Sequence, residues 1–182
     1  MNRTSDEQEF LATLKIGDIV EGTVTGPASE VTLDGFPERP LGEALFAWRR
    51  LAIGERITAE VIRVDLNQGR VLLRTAALEY PELWAFLAAR RPGEVLSGTV
   101  AAIKPFGVFI ALDDGPPHPI FPGVGFVAYP ELSWRHFEAA TDVVQVGQRV
   151  SGKFLAFDTH NGEARMSLKA LRPTASSGSP DE

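Results

Sequence analysis

Two stretches of the chain repeat each other, and this internal repeat limits the folds that 182 residues can form. The stretches "FLATLKIGDIVEGTV" (10–24) and "FLAARRPGEVLSGTV" (86–100) share seven of fifteen residues at an offset of 76. A further match, between "IGERI" (53–57) and "VGQRV" (146–150), has an offset of 93. Similarity at such spacings indicates two copies of one structural unit. The larger offset of the later match means that the second copy carries about 17 additional residues in its middle.

Each copy reads as a series of short strands. Residues 18–26 and 94–103 are β-rich runs entered through a glycine turn, and 56–65 and 149–158 alternate as half-buried strands do. A turn with Asn and Gly follows each alternating run and leads into a closing strand. About five short strands in so few residues suit a small barrel, because closure removes exposed strand edges. We therefore predict an all-β fold with short linker helices.

The helical segments and the repeat together predict the domain boundaries. Phe10, Leu11 and Leu14 form an apolar stripe before the first copy, and Pro81 can open a helix before the second. The C-terminal "PTASSGSPDE" has the composition of a disordered tail. The predicted parts are an N-terminal helix (1–13), a first barrel (14–76), a linker helix (77–91), a second barrel (92–172) with an inserted loop (113–125), and a disordered tail (173–182).

Composition excludes several classes of protein. The chain has no cysteine, which rules out disulfides, a thiol nucleophile and a cysteine-based zinc site. It shows neither a signal peptide nor a membrane-spanning apolar run, so we expect a cytoplasmic protein without a membrane partner. The net charge of −6 argues at first against nucleic acid, but 14–76 and 92–173 are each close to neutral at −1. A modest nucleic-acid affinity is therefore compatible with the charge.

The stretch "KPFGVFIAL" (104–112) places an aromatic ring where a soluble protein would not ordinarily leave one. Val108, Ile110 and Leu112 fit one face of a strand and should fill the barrel. Phe109 then lies on the outer face, and Phe106 can come alongside because Gly107 lets the backbone bend. We predict an exposed pair of rings on which unstacked bases lie, with burial of both rings as the alternative.

The second copy resembles a known RNA-binding family. Its motifs "GTV", "FGVF", "GFV", "PELSW", "VGQRV" and "MSLK" are similar to those of the S-one repeat, the module of bacterial ribosomal protein S-one. The first copy resembles the same repeat more weakly, through "IGD", "EGTV", "IGER" and "VDLNQGRVLL". The resemblance implies two tandem five-stranded OB-fold barrels. It also implies that Phe106 and Phe109 are the two aromatic residues of the binding face.

Basic residues near these rings are the candidates for phosphate contacts. Lys104 lies just before the Pro-Phe pair, while Arg165 and Lys153 alternate with inward-facing neighbours and should face outward. The predicted RNA-binding set is Lys104, Phe106, Phe109, Lys153 and Arg165. Each cation alone is more often an ordinary solvated charge, so their convergence on the rings is what makes them candidates.

Two positions depart from the family pattern. Ala128 stands where the family often has a histidine, and Glu163 stands where an arginine is common. A carboxylate at the second position repels phosphate, so both departures predict weaker or altered RNA affinity. Arg165, two residues further on, could partly compensate.

The first copy lacks the aromatic pair but keeps the "D-x-x-x-G-R" pattern as Asp65, Gly69 and Arg70. No ring occurs in "TGPASEVTL" (25–33), so we expect little independent RNA binding there. Early S-one repeats dock onto protein, and by analogy 14–76 could contact the ribosome or another protein.

The inserted loop "DDGPPHPIFPGVG" (113–125) has four prolines and three glycines and should be stiff. It follows the strand of Phe109, so it could either form a wall beside the binding face or cover that face. Phe121 is then an additional stacking ring or the anchor of a cover.

The sequence predicts no enzymatic activity, no metal site and no cofactor. His118, His136 and His160 lack metal-ligand spacing, and no glycine-rich phosphate loop is present. The predicted function is weak binding of single-stranded RNA with low sequence specificity, in translation or RNA metabolism. The alternative is a protein-interaction module that has lost RNA binding.

Overall fold

A computed structural model describes residues 5–172 of the chain. The predicted tail (173–182) and the first four residues of the predicted N-terminal helix lie outside the described residues. The chain divides into two compact units, Met1–Pro81 and Glu82–Glu182, and each is described below by itself.

The first unit contains a closed five-stranded barrel in the order β1-β2-β3-β5-β4. All pairs are antiparallel except β3 with β5, which run parallel. Its strands are β1 (Ile19–Val24), β2 (Glu30–Leu33), β3 (Gly42–Phe46), β4 (Arg56–Asp65) and β5 (Arg70–Arg74). Alternate residues point inward, so that Val24, Val31, Val61, Val71 and Leu73 are almost completely buried.

The second unit has a closed barrel with the same strand order, β6-β7-β8-β10-β9, and again one parallel pair, β8 with β10. Its strands are β6 (Val95–Lys104), β7 (Gly107–Leu112), β8 (Gly125–Ala128), β9 (Arg149–Asp158) and β10 (Glu163–Ser167). A five-stranded Greek-key barrel of this kind is OB-fold-like. The mostly β fold with short helices that the sequence predicts is confirmed.

Helices are few and short in the described part of the chain. The α-helices are α1 (Ser5–Thr13) and α2 (Pro81–Ala88), and single 3₁₀ turns occur at Ala76–Glu79, Tyr129–Glu131, Ala140–Asp142 and Lys169–Leu171. Trp84 on α2 packs edge-on against Phe157 of β9, with 4.9 Å between the ring centroids. Among residues 5–172, no helix has the length and apolar character needed to cross a bilayer.

The core of the second barrel follows the predicted alternation. Val108 and Ile110 of β7 are fully buried, and so are Ala164 and Met166 of β10. These four side chains face the barrel interior, as the sequence predicts. The residues between them in the chain therefore belong to the outer face, where the candidate site lies.

Candidate nucleic-acid interface

A row of register partners crosses the outer face of the second barrel. Phe109 on β7 is paired with Phe126 on β8, and Phe126 is paired with Arg165 on β10. Directly paired residues on one face of a sheet contact each other. The rings of Phe109 and Phe126 accordingly meet edge-on at 5.2 Å between centroids, and the Arg165 guanidinium lies 5.2 Å from the centre of the Phe126 ring.

Gly107 lets the first residues of β7 approach this row closely. A Cβ atom at Gly107 would lie 2.4 Å from the Phe126 ring and 2.7 Å from the Val127 carbonyl oxygen. Any other residue there would push β8 away. The glycine between the two phenylalanines is thus required for close strand packing.

Phe109 is buried, so the prediction that both rings are exposed is wrong for this residue. Its side chain is only 3% exposed. The Phe121 ring lies nearly parallel over it, with 5.6 Å between centroids and 22° between planes, and the Phe106 ring meets it edge-on at 6.2 Å. The inserted loop therefore covers Phe109. The sequence leaves two positions open for this loop, beside the binding face or over it, and the structure has the second.

Phe106 remains largely exposed, in agreement with its predicted position on the face. The residue is 62% exposed and stacks on Phe126, with 6.0 Å between centroids and 27° between planes. A ring packed on one side and open to water on the other can receive a base without a conformational change.

His118 attaches the inserted loop to the barrel, a role that the sequence analysis missed. Its Nδ1 accepts hydrogen bonds from the backbone N–H groups of Ile120 (3.1 Å) and Phe121 (2.9 Å). Because Nδ1 accepts, Nε2 carries the proton and donates to the carbonyl oxygen of Asn161 at 2.8 Å. Burial lowers the pKa of His118, although the bond to Asn161 acts in the opposite direction. The only sequence signal was a histidine among prolines.

Arg165 faces outward as predicted, but it is not free for phosphate. Its Nη2 donates to Asp158 Oδ2 at 2.7 Å. Burial opposes ionisation of Asp158, yet the backbone N–H groups of Asn161 and His160 and the charge of Arg165 outweigh it and lower the pKa of Asp158. The guanidinium is therefore held by a carboxylate and by the Phe126 ring.

Glu163, which stands where the family has an arginine, is buried rather than solvated. It is 3% exposed, and its Oε2 lies 4.0 Å from Arg165 Nη2. Burial and then the nearby charge of Asp158 raise the pKa of Glu163 to about 7, against the opposing effect of Arg165. Its charge at neutral pH is therefore only partial, and the repulsion of phosphate that the sequence predicts is weakened.

The two lysines of the predicted site lie in different places. Lys104 ends β6 opposite Gly107, is exposed, and has no ion-pair partner within residues 5–172. Lys153 faces outward, but the register places it beside Val95 and Ser167, about 10 Å along β9 from the row of rings. The structure thus places Lys104 at the end of β6, next to the turn that carries Phe106, and leaves Lys153 apart from the row of rings.

The first barrel carries carboxylates where the second carries rings. Glu30 on β2 is paired with Glu43 on β3, as Phe109 is paired with Phe126 on the corresponding strands. Glu43 accepts a 2.7 Å hydrogen bond from Arg70 Nη1, so the arginine of the "D-x-x-x-G-R" pattern is also occupied.

Other arginines of this unit are likewise held by carboxylates, namely Arg39 by Glu7, Arg49 by Glu55 and Glu79, Arg56 by Asp34, Arg63 by Asp65, and Arg74 by Glu60. A face on which Arg70 is held by Glu43 and on which glutamate occupies two ring positions offers little to phosphate or bases.

A closed OB-like barrel with aromatic rings and an exposed lysine on its outer face belongs to a class of folds that commonly binds oligonucleotides. Residues 90–169 match the family model described as S1 RNA binding domain. This is the S-one repeat that the sequence resembles, and the match spans the strands of the second barrel. It supports an S1-type OB fold for that barrel.

Curated relatives extend the similarity over more of the chain. The small ribosomal subunit protein bS1 of Mycolicibacterium smegmatis is 29% identical over 173 residues, which cover 88% of this chain and 34% of that protein. The bS1 protein of Leuconostoc lactis is 36% identical over 121 residues, which cover 64% of this chain and 26% of that protein. The chain thus spans about a third or less of these two relatives.

Among solved structures, the solution structure of GSP13 from Bacillus subtilis is 25% identical over 50% of this chain and 66% of that chain. Its TM-score of 0.38 is too low to support an inference about this protein.

Proposed function

We propose that the second barrel binds single-stranded RNA through its outer aromatic face, weakly and with low sequence specificity, in translation or RNA metabolism. The observation that carries the proposal is the Phe106 ring, which is 62% exposed on an S1-type barrel and lies two residues from the exposed Lys104. Stacking on such a ring tolerates any base, because every base has a flat π face. The bS1 relatives support a cytoplasmic, non-enzymatic role.

Phe106→Ala tests this proposal directly. We expect the affinity for a fluorescent oligo-U, measured by anisotropy at low salt, to fall by roughly 1–3 kcal/mol, the usual contribution of one base–aromatic stack. Val146→Ala is the matched control, since Val146 is similarly exposed (63%) but lies outside the row of rings. Equal affinities of the Phe106 variant and the unmodified chain would contradict the proposal.

Lys104→Ala tests the electrostatic part of the site. Each phosphate contact to a single strand contributes a slope of about −0.7 to log affinity against log salt. We expect the slope to become shallower by about that amount, because Lys104 is exposed and lies next to the turn that carries Phe106. Lys15→Ala, which removes an exposed lysine from the first unit, should leave the slope unchanged. An unchanged slope in the Lys104 variant would exclude it as a phosphate contact.

A second candidate function concerns the first barrel, which we propose as a protein-docking unit, with the ribosome as the candidate partner. The specific observation is that Glu30 and Glu43 occupy the ring positions. We expect the charge reversal Glu30→Lys with Glu43→Lys to reduce co-sedimentation with small ribosomal subunits. Unchanged co-sedimentation, or none by the unmodified chain, would contradict docking through this face.

A further inference from the structure

We propose that Phe121, in the segment between β7 and β8, is the second base-stacking ring of the second barrel, in place of Phe109. This inference rests on the proposed function, because it names which rings of that site meet the bases. It differs from the expectation for an S1-type barrel, in which both rings come from the "FGVF" motif itself.

The position of Phe121 is that of a base stacked on Phe109. The two rings are 22° from parallel, with 5.6 Å between centroids, and the contact leaves Phe109 only 3% exposed. No base can reach Phe109 in this arrangement. Phe121 itself keeps part of its surface in contact with solvent, and the neighbouring Ile120 is 50% exposed. Phe109 covers one side of the Phe121 ring, and the His118 ring contacts Phe121 at a tilt of 41° with 4.8 Å between centroids, so the surface offered to a base is the part that these two rings leave exposed.

Hydrogen bonds hold Phe121 in this position without any ligand. The backbone N–H of Phe121 donates to His118 Nδ1 at 2.9 Å, and His118 Nε2 donates to the carbonyl oxygen of Asn161 at 2.8 Å. His118 is 8% exposed, so these bonds are shielded from water. The segment is thereby attached to the turn between β9 and β10, on the far side of the row of rings.

Close backbone packing fixes the end of the same segment. A Cβ atom at Gly123 would lie 2.3 Å from the carbonyl oxygen of Ile110, so the chain returns in direct contact with β7. The prolines of the segment restrict it further. A ring held in its bound position before RNA arrives loses little entropy on binding, which favours affinity.

The competing role for Phe121 is that of a lid, which bases would have to displace to reach Phe109. Displacement would break the two backbone bonds to His118 and expose the most buried ring of the cluster. The geometry therefore favours a base stacked on Phe121 over a base stacked beneath it. The two roles predict opposite signs for one substitution.

The test is the affinity of the full chain for fluorescent oligo-U, measured for Phe121→Ala and Phe121→Leu. We expect both variants to bind roughly 5- to 150-fold more weakly, since each lacks the flat ring that a base stacks on. Phe121→Leu still covers Phe109 with an apolar side chain, so it keeps the fold testable if the alanine variant is destabilised. Ile120→Ala is the matched control and should stay within about twofold.

His118 gives an independent test of positioning. His118→Ala removes the acceptor for the N–H groups of Ile120 and Phe121, whereas Asn Oδ1 in His118→Asn takes the place of Nδ1. We expect His118→Ala to weaken oligo-U binding and His118→Asn to restore part of the affinity. In a Phe121→Ala background the histidine substitution should have no further effect, because the ring that it positions is absent.

Ultraviolet cross-linking of oligo-U, followed by mass spectrometry of peptides, supplies a readout besides affinity, and we expect the peptide containing Phe121 to be labelled. Tighter binding by the Phe121 variants would overturn the inference in favour of a lid, and unchanged binding would overturn it outright. If the unmodified chain binds and Phe106→Ala weakens it while the Phe121 variants do not, this inference fails alone. If the unmodified chain does not bind oligo-U, the proposed function fails and this inference fails with it.

Discussion

Phe109→Ala is expected to lower the free energy of unfolding of the second barrel by about 3–5 kcal/mol, the range typical of truncating a buried phenylalanine. Phe109 is the centre of a ring cluster, with Phe106, Phe121 and Phe126 all within 6.2 Å between centroids. Its removal would leave a cavity and would also take away three aromatic contacts, each worth about 0.5–1.5 kcal/mol beyond area burial.

Urea unfolding followed by tryptophan fluorescence measures this effect. Trp48 belongs to the first unit, so a Trp48→Phe background leaves only the indoles of the second unit, Trp84 and Trp134, as reporters. Phe106→Ala is the matched control, because it removes the same side chain from a 62% exposed position with two ring contacts rather than three, and it should lower stability by only about 1–2 kcal/mol. A similarly small effect of Phe109→Ala would mean that Phe109 is not a core residue.

These paired variants also separate the two roles that the phenylalanines of this motif can have, contact with RNA and support of the fold. Phe106→Ala should lower RNA affinity with the smaller change in stability, whereas Phe109→Ala should mainly lower stability and should change affinity only through the rings that Phe109 supports. The "FGVF" motif of this chain therefore contains one candidate contact residue and one residue that supports the other rings.

Much of the fold could be predicted from the sequence because it depends on local alternation. The repeat predicts two copies of one unit. Period-2 patterns predict that Val108, Ile110, Ala164 and Met166 face the barrel interior, where they are buried. These features require only that a strand has one face toward an apolar interior.

The burial of Phe109 could not be predicted in this way. Alternation correctly assigns Phe109 to the outer face, but it does not say what covers that face. The cover is Phe121, which comes from an insertion without a counterpart in the first copy. Its position depends on a hydrogen bond between His118 and the distant Asn161, a contact that no sequence period encodes.

The acidic face of the first barrel was missed for a related reason. The two offsets of the repeat align β1 with β6, β4 with β9 and β5 with β10. The strands β2 and β3 lie between the aligned stretches, so the repeat does not align them with β7 and β8. The correspondence of Glu30 with Phe109 and of Glu43 with Phe126 appears only in the strand register. The pairing of Arg165 with Asp158 is likewise a three-dimensional feature, although both residues were identified individually.

The second large effect is expected from Glu163→Gln, which should stabilise the second barrel at alkaline pH. Burial raises the pKa of Glu163 to about 7, and the neighbouring charge of Asp158 acts in the same direction. A pKa raised from 4.5 to about 7 corresponds to about 3 kcal/mol of unfolding free energy. The neutral acid is thus the form that the folded barrel prefers, and glutamine, which is neutral at every pH, resembles it in shape.

The sign of this effect follows from the raised pKa. The contribution of protonated Glu163 is fully present below pH 4.5 and is lost as the pH rises through about 7. We therefore expect the unmodified chain and Glu163→Gln to be similarly stable at pH 4.5 and the variant to be more stable by up to about 3 kcal/mol at pH 8. Urea unfolding in the Trp48→Phe background measures both values.

Subtracting the stability curve of the unmodified chain from that of Glu163→Gln isolates Glu163 from the other titrating groups. The lowered pKa of His118 destabilises the barrel as the pH falls below about 6.5, but it does so in both proteins and cancels in the difference. Glu138→Gln, which changes an exposed carboxylate of the same unit, should differ from the unmodified chain by less than about 0.5 kcal/mol at both pH values. The difference in unfolding free energy between Glu163→Gln and the unmodified chain should therefore grow between pH 4.5 and pH 8. If it does not, Glu163 has the ordinary pKa of a solvated carboxylate.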